Sequence, residues 1–267
     1  MNLYREFFGF TKEPFSQDVG VNELYPLKAL GPCIDRFEYA VGIGAVCVIT
    51  GEIGSGKSTS LRFCASKLHP SKYKIIALIA HTGTFNELLK QIIFSFGAEC
   101  CTYSISILIK TARDLIMEVV QKKQVPVLLI DEAHLLRLDL FSQMHTLTQF
   151  EYDSKPLLPM ILSGQNQLLE KLISYQARPL ASRVVGKTHL EALNLQEMTD
   201  YLNHHLRIAG INNGLLGENT ALAIHQVSGG FPRRANSLAR GALIAAAREK
   251  SHIVSPDHVR LAATELI

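Results

Sequence analysis

The sequence predicts an α/β fold, a parallel sheet wrapped by helices, followed by a smaller all-helical module. Three observations carry that prediction. Short apolar runs of strand length alternate with helical stretches of about a dozen residues or more, the rhythm of βαβ units. A glycine-rich turn, Gly51–Ser58, stands between the first such run and the first such helix. After about residue 190 the strand-like runs stop and only helical periods remain.

Ala45–Thr50 is a nearly continuous apolar run, the pattern of a strand covered on both faces. Ser58–Leu68 then sets Leu61, Cys64, Ala65 and Leu68 at helical spacing. Lys74–Ala80 reads as the second strand, and Thr84–Phe96 and Ser104–Lys123 as helices. Val125–Ile130 is the third strand, Leu138–Phe150 a helix, Leu157–Leu162 the fourth strand and Lys187–Leu190 the fifth. Beyond them Leu195–Ala209, Asn219–Val227, Pro232–Glu249 and Ser255–Leu266 are helical in period. Ser255-Pro256-Asp257 joins a capping serine to a proline at the first helical position. The expected division is residues 1–190 for the α/β domain and 191–267 for the helical lid.

Composition narrows the class. With 267 residues, 47% hydrophobic and 19% charged, the chain is long and apolar enough for a sizeable core, which excludes a disordered or fibrous protein. Lys plus Arg is 27 against 24 for Asp plus Glu, and a net charge of +3 neither demands nor excludes nucleic acid. Cys33, Cys47, Cys64, Cys100 and Cys101 lack the spaced pairs that zinc needs and are expected to be reduced and packed. The N-terminus has no cationic start followed by an apolar core, and no run approaches the roughly 18 apolar residues of a membrane span. A cytoplasmic protein without membrane insertion is the expectation.

Gly51-Glu52-Ile53-Gly54-Ser55-Gly56-Lys57-Ser58 matches the phosphate-loop pattern in full, between a buried strand and a helix. Its glycines let backbone N–H groups turn inward around phosphate oxygens, aided by the helix dipole. Gly51, Gly54, Ser55, Gly56, Lys57, Ser58 and Thr59 are the candidate nucleotide contacts. Lys57 reaches for the β- and γ-phosphates and the Ser58 hydroxyl for Mg²⁺. Val127–Glu132 is an apolar strand ending in two carboxylates. Asp131 would hold Mg²⁺ and Glu132 would polarise the attacking water. The two motifs together predict Mg²⁺-dependent nucleotide binding with hydrolysis.

His134 completes the string Asp-Glu-Ala-His, shared with helicases, but no second α/β block exists for a helicase, and the residue reads as one packed beside the acids. Leu162-Ser163-Gly164-Gln165 is superficially like a transporter ATPase signature, yet it follows the acidic motif where that signature precedes it. Gln165 or Ser163 orients the water or senses the phosphate; alternatively either caps the helix beginning near Asn166. Ser182-Arg183-Val184 puts an arginine just before the last strand. Gly229–Asn236 turns into a helix with Arg233 in its first turn, where a cation is locally unfavourable unless it faces an anion. Lys67, Lys72 and Lys74, and Lys110, Arg113, Lys122 and Lys123 along one long helix, are the candidate basic surfaces.

In this order GEIGSGKS, LLIDEAH, ILSGQ, SRV and GGFPRRAN resemble an AAA+ ATPase. Tyr4–Phe10 with Pro14-Phe15-Ser16, and Leu195–Gly210, narrow the resemblance to the ExeA-type ATPases. The resemblance implies a P-loop AAA+ nucleotide-binding domain with a helical lid. It also implies Gln165 as first phosphate sensor, Arg183 as a finger acting on a neighbouring subunit, and Arg233 as second sensor. Secretion members carry a membrane span and a peptidoglycan-binding region after the ATPase, whereas this sequence ends at Ile267. The expectation is therefore a stand-alone helper of DNA transposition, similar to the TniB, TnsC and MuB-like group. Such a helper is a homo-oligomer, ring or filament, that binds double-stranded DNA and a transposase. The alternative is a cytosolic ExeA-like ATPase serving secretion or envelope assembly.

Overall fold

The computed structural model describes residues 3–211 and 214–265. Two compact units divide them: Lys28–Glu52 with Lys57–Leu190, and a second made of the residues up to Leu27, the stretch Ile53–Gly56 and everything from Glu191 onward. The chain opens on α1 (Leu3–Phe8), part of the second unit.

The first unit is built on β1 (Val46–Gly51), β2 (Tyr73–Ile79), β3 (Val125–Asp131), β4 (Met160–Gly164) and β5 (Val184–Leu190). All neighbours pair parallel, in the order β2-β3-β4-β1-β5. Parallel strands need crossovers, supplied here by α3 (Lys57–Ser66), α4 (Phe85–Ser95), α5 (Ile105–Gln121), α6 (Leu138–Thr148), α7 (Gln167–Ile173) and α8 (Arg178–Ala181). Before β1 lies α2 (Leu30–Ile43), a helix without a counterpart in the sequence reading.

Alternation along the strands sorts the core onto two faces. Val48, Ile76, Leu128, Ile130, Met160 and Leu162 pack with α4 to α8, while Cys47, Ile49, Val127, Leu129 and Ile161 pack with α2 and α3. Each such Leu or Ile contributes on the order of 2 kcal/mol relative to exposure. Burial on both faces is why β1 and β3 read as unbroken apolar runs. Thr84 and Glu87 form a capping box that starts α4. β4 is shorter at its start than expected, because Leu157 N–H bonds the Lys155 carbonyl in a turn and the ladder begins only at Met160.

The second unit packs α9 (Leu195–Ile208), α10 (Glu218–Ser228), α11 (Pro232–Arg248) and α12 (Pro256–Thr264). A capping box of Asn194 and Glu197 opens α9. The helix expected over Ser255–Leu266 ends at Thr264, and Leu266 lies outside the described residues. Tyr4, Phe10 and Phe15 are buried in this core beside Leu202, Leu238 and Leu243, and Phe15 stacks on His205 at 5.6 Å. The N-terminal aromatic string, assigned from sequence to the first domain, therefore belongs to the helical unit.

Two further expectations change. Cys33, Cys47 and Cys64 are buried, but Cys101 is exposed and Cys100 half-buried, since they sit in the loop after α4 and not in a strand or helix. Arg113 is withdrawn from the basic face: its guanidinium donates to the Gln149 carbonyl and lies 4.9 Å over the Phe150 ring.

Candidate nucleotide site

β1 ends at Gly51 and α3 starts at Lys57, so the five residues between them must turn the chain sharply. Gly54 does so at φ +82, a left-handed conformation that a side chain resists. Space forbids one as well, since a Cβ there would stand 2.9 Å from Arg233 Cβ. The Arg233 backbone N–H donates to the Gly54 carbonyl at 3.2 Å, which seats the first turn of α11 on the loop tip within the second unit. The Arg233 side chain itself is exposed.

Lys57 is 6% exposed and its ammonium donates to the carbonyls of Gly51 at 3.0 Å and Glu52 at 2.9 Å. Ser58 and Thr59 are exposed on the first turn of α3. The Ser55 hydroxyl is buried with no hydrogen-bond partner. An orphaned buried hydroxyl in a loop of left-handed glycines is a polar cradle of the kind phosphate oxygens satisfy. Mg²⁺ fits the donor set too. The exposed Ser58 hydroxyl and the half-buried Asp131 carboxylate are the one or two protein oxygens that such an ion takes beside phosphates.

Strand order completes the site. β4 lies between β1 and β3, with Thr50 level with Gly164 and Ile130 level with Leu162. The carboxyl ends of the phosphate-loop strand, the β4 strand and the acidic strand thus lie side by side, where open α/β sheets bind ligands. Sequence spacing gave no hint of this insertion, which brings Asp131 and Glu132 together with Gln165.

Asp131 is half-buried and its Oδ1 accepts the Glu132 N–H at 2.9 Å. Glu132 sits at φ +53, and its Oε2 lies 3.3 Å from His134 Nδ1. His134 is 6% exposed, and burial pushes its pKa below the ordinary value. Gln165 is half-buried with its N–H 3.4 Å from His134 Nδ1. The Ser163 hydroxyl is buried without a partner. Asn166, which offers no side-chain cap to α7, instead donates to Glu52 Oε1 at 2.9 Å. That link between the phosphate loop and the end of β4 joins residues 114 positions apart, which explains why the sequence concealed it.

Arg183 stands at the other end of the sheet, just before β5, where its carbonyl accepts the Val46 N–H. Its guanidinium is ion-paired with Asp153 of the same chain and holds that carboxyl below its usual range. The lysines fall in two sets: the Lys72 loop and the Lys122-Lys123 turn meet at the start of β2 and β3, joined by Gln124 Nε2 to the Pro70 carbonyl at 2.9 Å. Among the described residues no helix is long and apolar enough to cross a membrane.

Residues 44–172 match the family model described as an AAA domain. Across 266 residues the chain is 30% identical to general secretion pathway protein A of Aeromonas hydrophila, covering 99% of this chain and 48% of that protein. The chain thus spans about half the length of this relative. Its fold is similar to Cdc6p from Pyrobaculum aerophilum, with a TM-score of 0.75 at 16% identity over 95% of this chain and 70% of that one. The Aeropyrum pernix ORC1 protein in complex with DNA gives 0.68 at 17%, over 94% and 68%. The Thermotoga maritima RuvB Holliday junction branch migration motor gives 0.59 at 19%, over 97% and 73%. At these identities the structures share the fold.

Proposed function

We propose that the chain, whose residues 44–172 match an AAA domain and whose fold is the α/β fold of the AAA+ P-loop proteins, binds ATP with Mg²⁺ and hydrolyses it. One arrangement supports the reading: the phosphate loop, the Asp131-Glu132 pair and the end of β4 lie at the carboxyl ends of three neighbouring strands, brought level by the insertion of β4. Lys57 and the loop N–H groups hold the phosphates, and the motif resemblance makes Arg233 the second sensor. Ser58 and Asp131 would hold Mg²⁺, which neutralises charge on the phosphates and orients them for in-line displacement. Glu132 accepts a proton from the attacking water, and Gln165 orients that water. Arg183 completes the charge stabilisation from a neighbouring copy, so the working form is a homo-oligomer, ring or filament.

Glu132→Gln tests the chemistry, because an amide cannot take the proton. ATP affinity is retained and kcat falls by roughly a hundredfold or more. Turnover at the parental rate would remove Glu132 from the reaction.

The output we propose is ATP-dependent assembly on double-stranded DNA, in the cytoplasm, as a helper acting with a transposase. Support comes from the motif resemblance, from the lysines gathered at the start of β2 and β3, and from a shared fold with an ORC1 protein solved on DNA. A second reading, an ATPase serving secretion or envelope assembly, is favoured by the 30% identity to general secretion pathway protein A over almost the whole chain. Fluorescence anisotropy of a labelled duplex separates them. ATP-stimulated binding supports the first, and negligible binding with ATP, ADP and no nucleotide at low salt transfers the weight to the second.

A further inference from the structure

Two contacts converge on one imidazole nitrogen, and two further features hold the turn that carries it. Glu132 takes a left-handed conformation, φ +53, which turns the chain so that His134 comes back over the Glu132 carboxylate, Nδ1 to Oε2 at 3.3 Å. The same Nδ1 lies 3.4 Å from the backbone N–H of Gln165. Gly164 makes room for the ring: a Cβ there would sit 3.0 Å from the His134 backbone nitrogen and 3.3 Å from Nδ1. Lys171 clamps the turn by donating to the carbonyls of His134 and of Leu136, the latter at 2.7 Å.

We propose that His134 is a positioning residue that couples the Glu132 carboxylate to the end of β4, a proposal that rests on the ATP-hydrolysis reading above. A neutral imidazole carries one N–H, and a single ring nitrogen either donates or accepts. With the proton on Nδ1, the ring donates to Glu132 and fixes the carboxylate that faces the water. With the proton on Nε2, Nδ1 accepts the Gln165 N–H and the carboxylate is released. The two states differ by loss of a proton at one nitrogen and gain at the other, with no change in net charge. Whatever moves Gln165 therefore selects how Glu132 is held. Burial lowers the imidazole pKa, in keeping with a ring that works neutral.

The experiment compares His134→Ala, His134→Asn, His134→Gln and the double variant His134→Ala with Glu132→Gln, reading kcat, ATP affinity and melting temperature in each. An asparagine amide stands where Nδ1 stands, and a glutamine amide reaches towards Nε2. His134→Ala lowers kcat by about 10- to 100-fold, the span of one lost hydrogen bond to a charged group, with ATP affinity unchanged. His134→Asn restores most of that loss and His134→Gln does not. Because His134 acts through Glu132, adding His134→Ala to Glu132→Gln lowers kcat no further. Parental kcat in His134→Ala, equal rescue by Gln, or multiplying effects in the double variant each overturn the coupling. If His134→Ala fails to fold, the Asn and Gln pair decides alone. A parental chain that does not hydrolyse ATP, or an active Glu132→Gln variant, defeats the hydrolysis reading itself and this inference with it.

Discussion

Lys57 is a cation buried under the loop it serves, 6% exposed and held by two main-chain carbonyls. Burying a charge is costly unless it is compensated. The Ser55 hydroxyl, buried and unpartnered, belongs to the same account. In the helical unit, His205 shows the cost in the opposite sense. It is 7% exposed and stacks on Phe15, and burial brings its pKa from 6.5 down to about 4. The folded state keeps the ring neutral while the unfolded chain takes up a proton below about 6.5. Stability from this residue is therefore full above pH 6.5 and is lost as pH falls towards 4, by up to about 1.4 kcal/mol per pH unit. His205→Leu should flatten that part of the curve of melting temperature against pH. An unchanged acid slope would show that other groups set it.

Among the elements, the connection from α6 to β4 carries the most strain. Glu151, Tyr152 and Asp153 have φ of 45, 55 and 73, three successive non-glycine residues in the left-handed region. Such residues cost of order 1 kcal/mol each and persist where surrounding contacts hold them. Here the holding contacts are Lys155 to Glu151 at 2.6 Å and Arg183 to Asp153. If Arg183 serves a neighbouring subunit, the Asp153 pair competes with that role. Arg183→Ala should hydrolyse slowly, and mixing it with Lys57→Ala should recover part of the activity. In the mixture the intact Arg183 of one variant meets the intact pocket of the other. Asp153→Asn should raise turnover by releasing the arginine. Activity that stays flat at every mixing ratio, together with an inert Asp153→Asn, would rule out the role in trans.

For the whole molecule, the parallel sheet separates two chemistries. β1 ends at the phosphate loop, while β2 and β3 begin beside Lys72, Lys122 and Lys123, so in this parallel sheet the lysines lie at the amino ends of the strands and the loop at the carboxyl ends. Reversing Lys72, Lys122 and Lys123 to glutamate should weaken DNA binding and spare ATP affinity. In the parental chain, affinity for duplex DNA should fall with salt at a log–log slope of about −0.9 per phosphate neutralised, with little sequence preference. Binding that ignores both salt and the three reversals would take these lysines out of any DNA contact.

Much of this was legible in the chain. β1 and β3 are continuous apolar runs because both faces of a parallel strand are covered, and GEIGSGKS followed by a helix marks one backbone turn. α9 to α12 declare themselves by period and by caps such as Asn194 with Glu197, which act within four residues. α2 stayed hidden because Gly31, Pro32 and Gly42 interrupt its pattern, though a proline in a first turn breaks no hydrogen bond. Local sequence thus determined the elements, the phosphate loop and the acidic pair, since each depends on neighbours a few residues away. Only tertiary structure decided that β4 enters between β1 and β3, that the N-terminal aromatics join the helical unit, and that Arg183 pairs with Asp153. It alone set His134 between Glu132 and Gln165. Those relations join residues tens to hundreds of positions apart, and the packing free energy that chooses them belongs to surfaces that exist only once the chain has folded.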